Sequence, residues 1–272
     1  ELWPLELTTK REQMLEAFVQ WLQQQRIEVL DRLDQPSLLM LRIRSTREHA
    51  EVILNHRDVR TLDLPPRFGV SVEMLVVDVN QFPAVSAPPT DAPKVTVLDT
   101  GLTRSHPLIG PAIGDAQGFV APARNESDNV PNGHGTFVSG LALYGDIEGC
   151  IRAGSFVPSL RLFSGKVFND DGQEQHEFVE KSIEEAVRYF HGHYQCRVFN
   201  LSYGDLNKVY DGRHVRGLAY TLDRLTREIG VLFVVPTGNF DIPANPRENY
   251  PDYLLLDDAR LLDPAPALNV IT

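Results

Sequence analysis

Four short apolar runs constrain this chain more than any other feature: "VTVLD" (95–99), "RLFSGKVF" (161–168), "RVFNLS" (197–202) and "VLFVVPTG" (231–238). Each is too short for a buried helix, is rich in Val, Leu and Phe, and runs into polar or glycine residues, as a strand buried on both faces does. Between them lie stretches of helical period, the clearest at 174–191, which places Phe178, Val179, Ile183, Ala186, Val187 and Phe190 on one side. Strands alternating with amphipathic helices predict an α/β domain with a parallel sheet flanked by helices, beginning near Lys94. In such sheets the loops at the carboxyl ends of the strands converge on a crevice, so polar residues closing these runs are the first candidates for a site.

The first 66 residues follow another rhythm. "LWPLEL" alternates as a short strand, residues 10–25 set Met14, Leu15, Phe18, Val19 and Leu22 on one helix face, and "RIEVLDRL" and "LLMLRIR" read as strands joined through "DQPS". A helix over about 46–56 and a strand at "VRTLDLP" complete the order β-α-β-β-α-β. That order predicts a small α+β, ferredoxin-like domain over residues 1–66, with two helices on an antiparallel sheet. Residues 67–93, a β-rich stretch passing into "AVSAPPTDAP", read as a linker, because proline cannot continue regular pairing.

Charge and composition exclude two classes of partner. Against 37 Asp and Glu stand 26 Lys and Arg, a net charge of -11, and no basic run interleaves with aromatics, so nucleic acid is not expected. Charged residues interrupt every apolar run well short of the roughly 20 residues that span a bilayer, so no membrane association is expected. Cys150 and Cys196 are too few and too far apart for a disulfide framework or a zinc site and fit a reducing, cytoplasmic compartment. "NDDGQE" (169–174) lacks the alternate spacing of a calcium-binding EF-hand loop, and neither a metal nor a cofactor is expected. The chain opens on Glu1 rather than Met and closes with "APALNVIT" inside a strand-like run, and it reads as a fragment.

One stretch stands out as chemistry. In "NGHGTFVSG" (132–140) a histidine sits between two glycines where Phe137, Val138, Leu141, Ala142 and Leu143 begin the buried side of a short helix. Glycine on each side permits backbone conformations that a Cβ would forbid and leaves room beside the ring, so His134 is read as facing a cleft. An imidazole that takes up a proton and returns it needs an acceptor behind it to fix its tautomer and stabilise the imidazolium. Asp99, closing the buried run "VTVLD", is the carboxylate that the strand pattern puts at the right edge.

These motifs resemble those of the subtilisin-like serine protease family, the subtilases. "VTVLDTGL" is similar to the family's aspartate motif and "NGHGTFVSG" to its histidine motif, usually "HGTHVAG", with Phe137 and Ser139 as departures outside the family's chemistry. "VFNLSYG" (198–204) resembles the strand that binds the substrate backbone, and "VVPTGN" (234–239) the segment ending in the oxyanion-hole asparagine. "GKVFNDDG" (165–172) is similar to a further strand and turn, so the resemblance spans about Lys94 to Thr272. It implies a serine endopeptidase acting on polypeptides, with Asp99 and His134 as two members of an Asp-His-Ser triad and Asn239 donating to the oxyanion. Ser202, Tyr203 and Gly204 would bind substrate, Ser202 as pocket wall and not as nucleophile, with Gly204 leaving space for a side chain to pass. The family's "GTSxA"-type serine motif does not occur in the chain, so the nucleophile is expected beyond Thr272 and these residues alone are expected to be inactive. The alternative is a catalytically inactive peptide-binding or regulatory module of the same fold. By the same resemblance residues 1–66 are expected to be a prodomain that lays its sheet on helices of the peptidase domain and sends its connector toward the cleft. An unrelated adaptor would instead be detached, or packed away from His134.

Overall fold

The structure, a computed structural model, describes residues 1–3, 8–35, 38–63, 78–121, 124–170, 177–239 and 260–272. Residues 64–77, which include the first part of the linker expected at 67–93, and residues 171–176, which follow Asp170 in the "NDDGQE" turn, therefore lie outside the described residues. The N-terminal unit consists of α1 (Thr8–Gln24), β1 (Glu28–Gln35), β2 (Leu38–Arg44) and α2 (Arg47–Leu54). β1 and β2 pair antiparallel, and Leu2 bridges antiparallel to both Leu39 and Val59. The spatial order of the split βαβ arrangement is thus present, with its first and last strands reduced, among the described residues, to single bridges. Alternation along β2 divides its work: Leu39 joins Leu2, Leu15, Phe18, Leu22, Ile27 and Ile53 under the helices, whereas Leu38 and Met40 face the other way.

The second part is built on β3 (Lys94–Asp99), β4 (Ile113–Gly118), α3 (His134–Tyr144), α4 (Ile147–Ala153), β5 (Arg161–Lys166), α5 (Val179–Tyr194), β6 (Val198–Leu201), β7 (Asp205–Val209), α6 (Gly217–Ile229), β8 (Leu232–Val234) and β9 (Leu262–Asp263). Five strands form a parallel sheet in the order β4-β5-β3-β6-β8, with β3 central. Ile271 adds a parallel bridge beside Val234, so "NVIT" does begin to pair as a strand. This is the α/β sheet that the four apolar runs predict. Three strands escape prediction: β4 ("IGDAQG") has only Ala116 fully buried, β7 ("DLNKV") has no apolar alternation, and β9 is two residues long.

The period of two along β3 decides what lies where. Val95 and Val97 face Val138 of α3 together with Leu102, Ile109 and Leu162, and Asp99, two residues on, shares that face. Leu98 faces the other side, where Phe163, Phe190, Phe199 and Phe233 and the inner faces of α5 and α6 make the larger core. α3 seats on the sheet through Gly135, Val138, Ser139, Gly140 and Leu143, so Leu141, expected to be inward, is 40% exposed. Gly135, Ser139 and Gly140 on the buried face let the helix lie close, while Leu141 turns outward.

The N-terminal unit packs on α5 and α6. Leu33, Leu38 and Met40 meet Phe178 and Tyr220. The Asp31 carboxylate accepts a bond from the Phe178 backbone N–H (2.8 Å) and pairs with Lys181, so it finishes the first turn of α5, whose N-terminal N–H groups have no partner within the helix. Arg42 donates to the Glu177 carbonyl, Gln35 to Glu184, and Arg216 to the Thr61 hydroxyl. The sheet of this unit therefore covers helices of the second part. Those helices line the sheet face opposite α3, although the contacted first turns lie at the carboxyl edge of the strands. Among the described residues no helix is long and apolar enough to cross a membrane.

Beneath this seam three buried carboxylates surround one ammonium. β7 and β9 pair antiparallel with Asp205 opposite Asp263, and the Lys208 Nζ lies 3.6 Å from Asp205 and 3.9 Å from Glu180 of α5. Both Asp263 oxygens accept first-turn N–H groups of α6, from Leu218 (3.0 Å) and Ala219 (2.9 Å). Burial pushes the Asp263 carboxyl up to about 7 despite Lys208 and those two donors, and burial also raises Asp205. A carboxyl whose pKa is higher folded than unfolded contributes stability below its ordinary value near 3.8, and that contribution is lost as pH rises toward 7. Unfolding midpoints should accordingly fall across this window, and Asp263→Asn should gain relative to the parent as pH rises through it. Calorimetry of both proteins over the window checks this, and a parallel pH dependence in the two would contradict it. Asp31→Ala should cost about 1–2 kcal/mol by stripping the α5 first turn of its acceptor, read as faster hydrogen exchange at the Phe178 amide.

Candidate active site

The site grows from the close seating of α3 on the end of β3. Asp99 closes β3 and is 1% exposed; His134 opens α3, and its Nδ1 lies 2.7 Å from the Asp99 Oδ1. The same oxygen accepts the Thr100 backbone N–H at 2.8 Å, while Oδ2 is buried with no hydrogen-bond partner among the described residues. The carboxylate is thus aimed at the ring by its own neighbour's backbone. Burial works against the imidazolium of His134. The hydrogen bond and charge of Asp99, with the charge of Asp128, outweigh that cost and raise its pKa above the ordinary histidine value.

Each glycine beside the histidine has its own reason. Gly133 caps α3 with φ +56°, the left-handed region that residues with a Cβ enter at a cost. At Gly135 a Cβ would stand 2.2 Å from the Gly101 carbonyl oxygen and 3.1 Å from the Thr100 hydroxyl. The space expected beside the ring for another molecule is, at Gly135, taken by the strand end that carries Asp99. Two further side chains complete the pair, Thr100 from within the aspartate motif and Asp128 from outside every motif. Thr100 Oγ1 accepts the Gly135 N–H at 3.0 Å, and the Asp128 carboxylate accepts the Thr136 N–H and hydroxyl, both at 2.7 Å. Asp128 sits in a loop of no period, and nothing local in "ESDNVPN" marks it; the only usable signal is a helix start at Gly133 with no capping side chain of its own.

The other candidates emerge from neighbouring strands at the same edge. Ser202, Tyr203 and Gly204 follow β6, next to β3, and Asn239 follows β8, next to β6, where it is exposed. The two segments touch: a Cβ on Gly204 would lie 3.0 Å from the Gly238 Cα and 3.4 Å from Leu262. The gap expected over Gly204 is therefore filled by the chain itself. The Tyr203 ring is buried and stacks on Phe168 at 4.9 Å between centroids, so only its backbone is placed to meet a ligand. The Ser202 hydroxyl accepts from the Asn200 side-chain amide at 3.0 Å. Among the described residues no group of three or more His, Cys, Asp or Glu is placed to hold a metal ion.

The parallel sheet thus carries a carboxylate and a histidine joined at its carboxyl edge, with an asparagine-bearing loop two strands away. The chain belongs to the Subtilase family, whose pattern matches residues 90–272, and residues 1–64 match the Y4kK central domain. Similar curated proteins include y4bN of Sinorhizobium fredii (strain NBRC 101917 / NGR234), described as uncharacterized, with 43% identity over 99 residues, 35% of this chain and 23% of the relative. The uncharacterized y4kK of the same organism is 30% identical over 110 residues (40% and 35%), and the major intracellular serine protease of Bacillus subtilis (strain 168) is 32% identical over 126 (41% and 39%). The chain thus spans well under half the length of each of these relatives. Among solved structures, the S41 psychrophilic protease aligns with a TM-score of 0.42 and 24% identity over 57% of this chain and 48% of its own.

The contact at Gly135 gives a direct test of the seating. Gly135→Ala drives a methyl group into backbone and should cost about 3 kcal/mol or more, while Gly133→Ala, strained only in its dihedral, should cost about 1 kcal/mol. Urea unfolding of the two variants checks the order; equal losses would contradict it.

Proposed function

We propose that this chain is part of a serine endopeptidase of the subtilisin type, in which Asp99 and His134 are two members of an Asp-His-Ser triad. The observation that carries the reading is the 2.7 Å contact between Asp99 Oδ1 and His134 Nδ1 at the carboxyl edge of the sheet. A serine hydroxyl is a poor nucleophile until a neutral imidazole takes its proton. With Nδ1 bonded to Asp99, the ring keeps its proton there and leaves Nε2 free to act as base. The charge of Asp99 then stabilises the imidazolium that forms, and Nε2 returns the proton to the leaving amine, the same division of roles by which subtilisin itself works. Asn239 would donate its side-chain amide to the oxyanion on the attacked carbonyl, a contribution of about 10²- to 10³-fold in turnover, the magnitude known from a subtilisin. An extended polypeptide substrate would pair with the backbone of Ser202, Tyr203 and Gly204. The nucleophilic serine would come from residues that follow Thr272.

The N-terminal unit, in this reading, is a prodomain-like domain over residues 1–66, followed by a linker at 67–93 and the peptidase part from 94. Its support is the seating of its sheet on α5 and α6 with Asp31 finishing the α5 first turn. Free thiols at Cys150 and Cys196 fit a reducing, cytoplasmic setting. One observation favours the second reading, a catalytically inactive peptide-binding or regulatory module: Gly238 and Leu262 fill the space over Gly204 where a substrate side chain would pass.

Peptidase assays decide between them. The protein extended by the ~100 residues that hold the remaining strands of a complete parallel domain should hydrolyse a protein substrate. It should be inactivated by a serine-directed phosphonyl fluoride and lose activity on His134→Ala. A folded but inert extended protein that still binds peptide would select the module, and activity that survives His134→Ala would reject the triad.

A further inference from the structure

The loop before α3 carries a carboxylate that touches neither Asp99 nor His134, yet is bonded to the neighbours of both. Asp128 Oδ1 accepts the Thr100 hydroxyl at 3.1 Å, and Thr100 is the residue that follows Asp99. Asp128 Oδ2 accepts the N–H and the hydroxyl of Thr136, two residues after His134, each at 2.7 Å. Around this carboxylate the two segments are cross-linked further: Thr100 Oγ1 accepts the Gly135 N–H at 3.0 Å, and the Thr103 N–H donates to Thr136 Oγ1 at 3.0 Å. The strand end and the helix start thus meet around a single acidic side chain that bonds to both.

That side chain is itself held from behind. Lys166, paired in register with Asp99 across β3 and β5, is 3% exposed; its Nζ donates to the Ser127 carbonyl at 2.6 Å and bonds the Asp170 carboxylate. Asp170 in turn accepts the Asn129 backbone N–H (3.4 Å) and side-chain amide (3.2 Å). Residues on both sides of Asp128 are therefore anchored to β5. α3 has no cap from Gly133, so Asp128 also supplies the negative charge and the acceptor that a helix N-terminus favours.

We infer that Asp128 is a positioning residue for the candidate catalytic pair: it clamps the strand end bearing Asp99 to the helix start bearing His134 and so sets the ring against the carboxylate. The inference rests on the peptidase reading for its catalytic meaning, but the geometry it asserts is independent of that reading. Asp128 acts in two separable ways. Its position fixes the Thr136 and Gly135 amides, and its charge favours the imidazolium, in the same direction as Asp99.

Three variants of the protein separate the two. Asp128→Asn keeps the shape and removes the charge, Asp128→Glu keeps the charge and displaces the oxygens, and Asp128→Ala removes both. NMR titration of the His134 ring should show its pKa lowered by about half a unit to one unit in the Asn and Ala variants and retained in the Glu variant. Hydrogen exchange at Gly135 and Thr136 should quicken in the Glu and Ala variants and stay slow in the Asn variant. In an active extended protein the acid limb of kcat/KM should move down with the ring's pKa in Asp128→Asn, and kcat should fall about tenfold in Asp128→Ala with KM little changed. A His134 pKa and amide protection unchanged in all three would overturn the inference. So would unfolding of Asp128→Asn while Asp128→Glu stays folded, which would mark a structural charge only. Because the titration and exchange need no turnover, an inert extended protein would reject the peptidase reading and leave these results standing.

Discussion

The close approach of the α3 first turn to the end of β3 is the constraint on which the site depends. At Gly135 the two backbones are so near that no side chain fits between them, and that nearness alone puts a residue at the start of a helix within hydrogen-bonding reach of one at the end of a central strand. The strand contributes direction: its period of two turns Asp99 to the same side as Val95 and Val97, which α3 covers. The helix contributes height, since His134 is its first residue and stands at the rim rather than over the sheet. The Thr100 and Asp128 bonds then remove the remaining freedom of the two segments to slide.

The large core on the opposite face has a different task. Phe163, Phe190, Phe199 and Phe233 are fully buried, each contributing on the order of 2–3 kcal/mol, and they hold β5, β3, β6 and β8 in order against α5 and α6. The strand order in turn decides which loops are neighbours. Residues 202–204 and 237–239 are far apart in sequence and adjacent in space because β6 and β8 pair. Stability and site geometry thus sit on opposite faces of one sheet, and they communicate through strand register.

Much of this is legible in the sequence because it rests on continuous apolar runs. β3 and β5 are buried on both faces and β6 and β8 on one, and a short Val, Leu and Phe run has few other solutions. The pairing of Asp99 with His134 is legible through resemblance and through the chemistry an imidazole requires. What the sequence hides depends on contacts between distant segments. β4 has no apolar pattern because one of its faces lies near the surface, β7 and β9 pair across more than fifty intervening positions, and Asp128 is recognisable only once Thr100 and Thr136 are seen on either side of it. In the sequence the glycines beside His134 read as making room for a visitor; at Gly135 the visitor is the chain itself. Tyr203 reads from its neighbours as part of a binding wall, whereas its ring follows the packing demand of Phe168.

Asp31 has a further consequence. The first turn of α5 is finished by a carboxylate from a unit more than a hundred positions away in the chain, so that helix has no complete hydrogen-bond inventory of its own. A helix completed in this manner cannot reach its full stability before its partner has folded, and cannot lose the partner without exposing an unpaired donor. The two units are then thermodynamically coupled. Denaturant should disperse them in one transition whose steepness reflects the surface of both, and any cut that frees the first unit changes the energy landscape of the second as well as its accessibility.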